Sequence, residues 1–550
     1  MMKFYKILFL LLTIPLITSC GGATRPLPVQ PIIGLPAGTD GFAWWNDTVF
    51  YEVFVRSFYD SNGDGIGDLN GLTQKLDYLN DGNPDTTTDL GITGLWLMPI
   101  NASPSYHGYD VSDYYAVNPA YGTLDDFRNL LAEAHKRGMR VTIDFVMNHT
   151  STQHLWFQAA QDPQSPFRDW YIWATSHPGY KGPWGQDVWY RTSSGYYYAI
   201  FWQGMPDLNY SNPAVVAEME KVASFWLKEV GVDGFRLDAA KHIIEEGENQ
   251  ENTPSTHFWW KDFRTFYKSV NPQAMTVGEV WTSNQAVATY VQGDELDLAF
   301  NFDLAKAILD NTGSRNARAL SSAIEKTVSA FEPGSWAVFL SNHDQPRPMT
   351  MLMEDNAKAK TAATVLLTIP GVPYLYYGEE IGMTGQKPDE RIRTPMQWSA
   401  EHEAGFTSGT AWEVINPNFA EYNVAAQTAD SASLLSHYRT LIQLRNQHAA
   451  LRVGEYLPVE ADNRNVLAFL RVSNEETVLV VINLGKDAVG EVRLSLETGP
   501  LTGKVKVAPL FGQGKFIPPQ VNAQGGFEGY QPLPEIPANS SFILQLQASR

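Results

Sequence analysis

An internal disulfide is excluded first: the 550-residue chain has one cysteine, Cys20, and so no partner for it within the chain. Positive charge is also scarce. Forty Lys and Arg stand against 60 Asp and Glu, a formal net charge of −20 at pH 7, so nucleic acid and anionic membrane surfaces are poor partners. The apolar run at 7–17 is too short to cross a membrane, which takes about 20 residues. Aromatic residues, by contrast, are plentiful, with 16 Trp and 25 Tyr in a chain that is 44% hydrophobic. That content fills the cores of about two to four domains. It also supplies rings able to stack on the flat apolar faces of sugars.

Residues 1–20 read as an export signal rather than as fold. Lys3 and Lys6 precede the apolar run, and small residues follow it. Ile17, Thr18, Ser19 and Cys20 resemble a bacterial lipoprotein signal, in which the cysteine is lipidated. The expectation is an exported chain held at the bacterial membrane or cell surface through a lipid on Cys20. Residues 21–41 carry Pro26, Pro28, Pro31 and Pro36 with few core residues, the composition of a tether.

From residue 42 onward, short apolar runs alternate with helical periods. Strands are expected at 49–54, 93–98, 140–145, 233–238, 275–280, 297–302, 336–341 and 372–377. Helices are expected at 72–79, 124–137, 213–230, 258–269, 317–330, 357–368 and 434–447. Eight such units imply a (β/α)8 barrel over 42–148 and 211–449, with a doubly wound open sheet as the alternative. Residues 149–210 are too many for one loop and read as an inserted subdomain after strand three. Beyond 450 the helical period stops, and alternating β-branched runs at 466–472, 476–484 and 541–547 predict an antiparallel β-sandwich domain over 450–550.

Barrel enzymes place their chemistry at the C-terminal ends of the strands. Strand three ends in Asp144, Asn148 and His149, and strand four in Arg236 and Asp238. Strand five ends in Glu279 and strand seven in His343 and Asp344. Arg236, two residues before Asp238, favours the ionised form of that acid. Glu279 lies between Gly278 and Val280, an apolar setting that raises a carboxyl pKa. One acid kept protonated beside one kept ionised is what glycosidic cleavage requires.

Segments 144–149, 234–242, 278–281 and 341–344 resemble the four signature segments of the α-amylase family of glycoside hydrolases. Residues 205–209 resemble that family's extra segment at the end of its inserted domain. The resemblance runs from about Trp44 to the C-terminus and implies roles residue by residue. Asp238 is then the nucleophile, Glu279 the general acid and base, and Asp344 the group that orients the sugar and stabilises the transition state. Arg236 keeps Asp238 ionised, while His149 and His343 hydrogen-bond the sugar. Tyr109, preceded by His107, stacks beneath it. Lys241 and His242 bind the leaving-group sugars. The expected substrates are starch and maltooligosaccharides, and the expected state is a monomer.

Asp60, Asn62, Asp64 and Asp68 occupy positions one, three, five and nine of a loop, with Gly65 at six and the Ile66 carbonyl at seven. That is the front of a calcium loop, although Gly71 at twelve rules out an EF-hand. Relatives in the resembled family carry a similar loop, so Ca2+ is the expected cofactor. A second calcium is common in α-amylases near the counterpart of Asn148, but 196–202 holds no acid for it. Ala239, Lys241 and His242 resemble enzymes acting on α-1,4 bonds, and Tyr106 replaces an acid common in chain-end glucosidases. Residues 391–398 instead resemble oligoglucosidases and trehalose-forming relatives. Three functions stay open: an endo-acting α-amylase, an oligo-α-glucosidase or α-glucan transglycosylase, and a non-catalytic surface glycan-binding lipoprotein.

Overall fold

The computed structural model describes residues 35–83 and 86–548, so Cys20 and the signal segment lie outside the described residues. Eight parallel strands close into a barrel: β1 (Phe50–Val53), β2 (Gly94–Leu97), β3 (Arg140–Phe145), β4 (Gly234–Leu237), β5 (Met275–Gly278), β6 (Leu298–Phe300), β7 (Trp336–Phe339) and β8 (Val372–Tyr376). β1 pairs with β8, Phe50 opposite Tyr374, which closes the ring and removes the open-sheet alternative.

Side-chain alternation along the strands sorts two cores. Phe50, Trp96, Val277, Phe300, Phe339 and Tyr374 fill the barrel interior, and truncating Phe300 to Ala is worth about 3–5 kcal/mol. On β4, Phe235 and Leu237 join the outer core against the helices. Arg236 between them therefore turns inward, with its guanidinium 5.2 Å from the centre of the Trp96 ring.

Helix 124–136 follows its sequence period, burying Phe127, Leu130, Leu131 and Ala134, with Thr123 and Asp126 forming a capping box. The expected helix at 213–230 is α-helical only to Ser224 and continues as a π-turn over Phe225–Val230. Gly231, at φ 96°, ends it. Helix Phe302–Ser314 was not expected. Its first apolar residues follow directly on β6, and Asn301, whose side chain accepts from Leu304 N–H, is the only punctuation. The expected helix at 72–79 is instead two short helices, Leu69–Gln74 and Leu76–Leu79, the first capped by Asp68.

Between β3 and β4, strands Trp173–Ala174, Trp189–Thr192 and Gly195–Tyr198 form a small antiparallel sheet. The end of the proline-rich segment lies on the barrel. Arg140 Nη2 donates to Pro36 O at 3.2 Å, and Arg452 Nη2 donates to Thr39 Oγ1 at 3.1 Å.

The C-terminal strands are β9 (Glu455–Ala461), β10 (Val466–Val472), β11 (Thr477–Asn483), β12 (Leu494–Thr498), β13 (Val505–Phe511), β14 (Gly525–Tyr530) and β15 (Ser541–Ala548). They form one continuous antiparallel sheet in the order β13-β15-β11-β10-β9-β12-β14. The sheet turns at β9, where 455–459 pair with β10 and 460–461 pair with β12. Leu470, Leu479, Leu494, Phe527 and Leu544 pack together from the two parts. Among the described residues no helix is long and apolar enough to cross a membrane.

Candidate active site

The strand ends converge as the sequence predicts, around one guanidinium. Arg236 Nη1 donates to Asp238 Oδ1 at 2.6 Å and to Asp144 Oδ1 at 3.0 Å, while Nη2 donates to Glu279 Oε2 at 2.7 Å. Ala239 adopts a left-handed conformation (φ 50°), uncommon for a residue with a Cβ. Its N–H, 3.3 Å from Glu279 Oε2, is a second donor to that acid. Ala240 N–H donates to the Glu279 carbonyl at 3.1 Å, fixing the loop after β4 beside the acid.

Arg236 favours the ionised form of Asp238, in the direction expected, but burial outweighs it and pushes the acid up to about 6. Burial likewise raises Glu279, to about 7, again against Arg236. Burial is the largest cause at all three acids, fully buried Asp144 included, and the one guanidinium that touches Asp144, Asp238 and Glu279 offsets it only in part.

The β7 end is arranged differently. His343 Nδ1 donates to Glu52 Oε1 at 2.6 Å, and Nε2 lies 2.6 Å from Tyr109 Oη and 3.1 Å from Asp344 Oδ2. Burial alone would lower His343, but Asp344 and Glu52 raise it to about 9, so it is a cation at neutral pH. Arg393 Nη2 donates to Asp344 Oδ1 at 2.8 Å, and its Nε donates to the His343 carbonyl at 2.9 Å. Burial works against the charge on Asp344, yet His343 and Arg393 hold it well below the usual carboxylate range.

The rings complete the floor. Tyr109 stacks on His343 with centroids 5.4 Å apart, and His107 stacks on Tyr109 at 6.1 Å. The Tyr109 hydroxyl donates to Asp144 Oδ2 at 3.0 Å. Burial pushes His149 down to about 3, so it is neutral, and Nε2–H donates to Tyr109 O at 3.1 Å. Lys241 Nζ pairs with Glu251 at 2.6 Å. His242, which burial lowers to about 4, donates Nδ1–H to Gln250 O at 2.8 Å. Both belong to the loop beside Glu279.

The ten residues singled out in the cleft thus come together. Three others were missed as members. Glu52 carries its signal in the sequence, an acid inside the apolar strand 49–54. Asp144 opens a signature segment yet acts by seating Arg236 and Tyr109. Arg393 had been read only for bond specificity.

The loop 60–68 stands apart from these side chains. Asp60 Oδ1 accepts from the N–H of Asn62 and Gly63, and Oδ2 accepts from Gly65 N–H and the Thr407 hydroxyl. Gly65 (φ 90°) has no room for a Cβ, which would meet Thr410 O at 2.0 Å. Asp68 is turned onto Ser61 and Gly71 N–H. The donors are all oxygens, the chemistry a hard cation takes, and successive Asx turns curl Asp60, Asn62 and Asp64 in series. Among the described residues no three acidic, His or Cys side chains gather as a metal cluster. Near Asn148 the structure adds acids that the 196–202 stretch lacked. Asn148 Nδ2 donates to Asp207 Oδ2 at 2.9 Å, and Glu245 lies against Asp207. Burial raises both acids, Asp207 to about 8.

Comparison with known proteins agrees with this geometry. The family description "Alpha amylase, catalytic domain" matches residues 52–454, and "Maltogenic Amylase, C-terminal domain" matches 457–521. The chain is 42% identical over 450 residues to alpha-amylase 3 of Dictyoglomus thermophilum, covering 80% of this chain and 86% of that protein. It is 36% identical over 498 residues to trehalose synthase/amylase TreS of Mycolicibacterium smegmatis, covering 80% and 81%. The crystal structure of the alpha-amylase from H. orenii superposes with a TM-score of 0.79 at 40% identity, over 91% of this chain and 99% of that one.

Proposed function

The chain is a member of the alpha-amylase family of glycoside hydrolases, and from that premise we propose that it is a retaining α-amylase. It would cleave internal α-1,4 bonds of starch and maltooligosaccharides. The observation that carries this reading is that Asp238 and Glu279 are held on the two arms of one guanidinium. Retaining enzymes keep their carboxyls about 5–5.5 Å apart, too close to admit the water an inverting enzyme activates.

Glu279, protonated at the start, gives its proton to the glycosidic oxygen while Asp238 attacks C1, and the bond to the leaving sugar breaks. Water then attacks C1, Glu279 takes the water's proton, and the Asp238 ester breaks. Two inversions retain the α configuration. Asp344, fixed as an anion, faces the cationic sugar and orients its hydroxyls. Tyr109, His107, His149 and His343 form the floor beneath it, and Lys241 and His242 border the leaving group.

A second reading, an oligo-α-glucosidase or transglycosylase, is favoured by crowding at the Asp344 end. There Tyr106 stacks on Trp412 at 5.4 Å, and the Arg393 guanidinium lies 5.9 Å from the Tyr106 ring centre. Chromatography of products from starch, maltose and isomaltose separates the two. Rapid loss of iodine staining with mixed oligosaccharides supports the α-amylase, whereas glucose alone from chain ends contradicts it.

Calcium in the 60–68 loop belongs to the same proposal, with Asp60, Asn62, Asp64, Asp68 and the Ile66 carbonyl as ligands and a structural effect. So does export with a lipid on Cys20. Labelling the full chain with radioactive palmitate, lost in Cys20→Ser, tests the anchor.

A further inference from the structure

An exposed tryptophan stands next to the reaction centre without touching the reacting bond. Trp184 is 58% exposed, so its ring offers solvent a flat apolar face of the kind that stacks on a sugar. A built turn holds it there. Gly182 N–H donates to Gln186 O at 2.9 Å, and Gly185 N–H donates to Gly182 O at 2.9 Å. The Gln186 side chain fastens both sides, accepting from Trp184 N–H at 2.9 Å and donating to Ile200 O at 2.9 Å.

The ring is not isolated. It lies 5.7 Å from Phe201 and 5.6 Å from His242, and Phe201 lies 5.8 Å from His242 and 5.3 Å from His149. An aromatic path therefore runs from His149, beside Tyr109, out to Trp184. Its direction follows from the loop carrying His242, which is bonded to Glu279 through the Ala240 and Ala239 N–H groups. That is the side on which Glu279 would meet the departing oxygen. On the β7 side of the site Asp344 is paired with Arg393.

We propose that Trp184, backed by Phe201 and His242, is the stacking platform for the glucose units of the leaving group, and for an acceptor sugar when one replaces water. The proposal rests on the retaining-hydrolase reading above. In transfer, the acceptor hydroxyl gives its proton to Glu279 as its oxygen bonds to C1, and the ester to Asp238 breaks. A ring that holds the acceptor raises transfer relative to hydrolysis, and a ring that holds the leaving group favours longer substrates.

Two substrates isolate the platform. α-Maltosyl fluoride leaves only fluoride on that side, whereas maltotetraose leaves sugar. In Trp184→Ala, kcat/KM for maltotetraose falls about tenfold relative to that for α-maltosyl fluoride, and the share of maltosyl groups passed to added maltose falls with it. Trp184→Tyr, which keeps a ring, restores the ratio to within about twofold. An unmoved ratio in Trp184→Ala, or a Tyr variant no better than Ala, overturns the platform and leaves the hydrolase reading standing. If the unmodified enzyme releases no fluoride from α-maltosyl fluoride, the hydrolase reading fails and the platform falls with it.

Discussion

On the β4–β5 side of the cleft, Asp144, Asp238 and Glu279 share the single cation Arg236, whereas on the β7 side Asp344 has both His343 and Arg393. Burial alone raises the pKa of every one of these acids. The outcome differs with the charges in contact: the first group shares one guanidinium and its acids raise one another, whereas Asp344 touches two cations. Three acids around one guanidinium leave protons bound near neutrality, at about 6 for Asp238 and about 7 for Glu279. One acid between two cations stays ionised. The first end is suited to moving a proton, and the second to presenting a fixed negative charge.

The largest effect that breaks this comparison is expected at Glu279, the proposed proton donor. Glu279→Gln lowers kcat on maltotetraose by about 10²–10⁴, because a poor leaving group needs the proton. A loss below tenfold removes Glu279 from that role. Next comes the fixed-charge end. Arg393→Met takes one cation from Asp344 and lowers kcat by about 10². It also moves the Asp344 pKa up, which adds an acid limb to the pH profile. A pure packing role for Arg393 would leave the shape of the profile unchanged.

The pH profile of kcat/KM sharpens the contrast without mutation. In the proposed mechanism Asp238 acts ionised and Glu279 protonated, so activity is expected to rise as pH passes about 6 and fall as pH passes about 7. Asp344 contributes no limb in that range, and His343, raised to about 9, remains a cation through it. A broad plateau from pH 4 to 9 would contradict both shifts. The smallest effect on chemistry is at the 60–68 loop. Chelation is expected to lower Tm by about 5 °C relative to the protein in saturating calcium. Asp60→Ala abolishes that difference, as followed by calorimetry, and equal Tm values with and without calcium remove the ion.

Much of this was legible in the chain because strand ends are short and local. Asp238, Glu279, Asp344 and their neighbours stand at fixed places after apolar runs, and barrel closure brings such ends together. Partnership across the sequence was not legible. Glu52 meets His343 from 291 residues away, and Arg393 reaches Asp344 from 49 away. No local pattern records burial, or that Arg236 serves three acids, which is why Asp238 was expected lower than burial leaves it. Helix 302–314 escaped because its apolar face continues from β6 without a Gly or Pro between.

The most direct test uses the enzyme lacking the proposed proton donor. Glu279→Gln is mixed with α-maltosyl fluoride, whose leaving group needs no proton, and the product is measured by mass spectrometry and peptide mapping. Asp238 can still attack, while breakdown of the ester lacks its base and stalls. The expected result is a chain heavier by one maltosyl group, carried on the peptide that contains Asp238. Fluoride release with no covalent adduct, or an adduct on another residue, contradicts a nucleophilic Asp238 paired with Glu279.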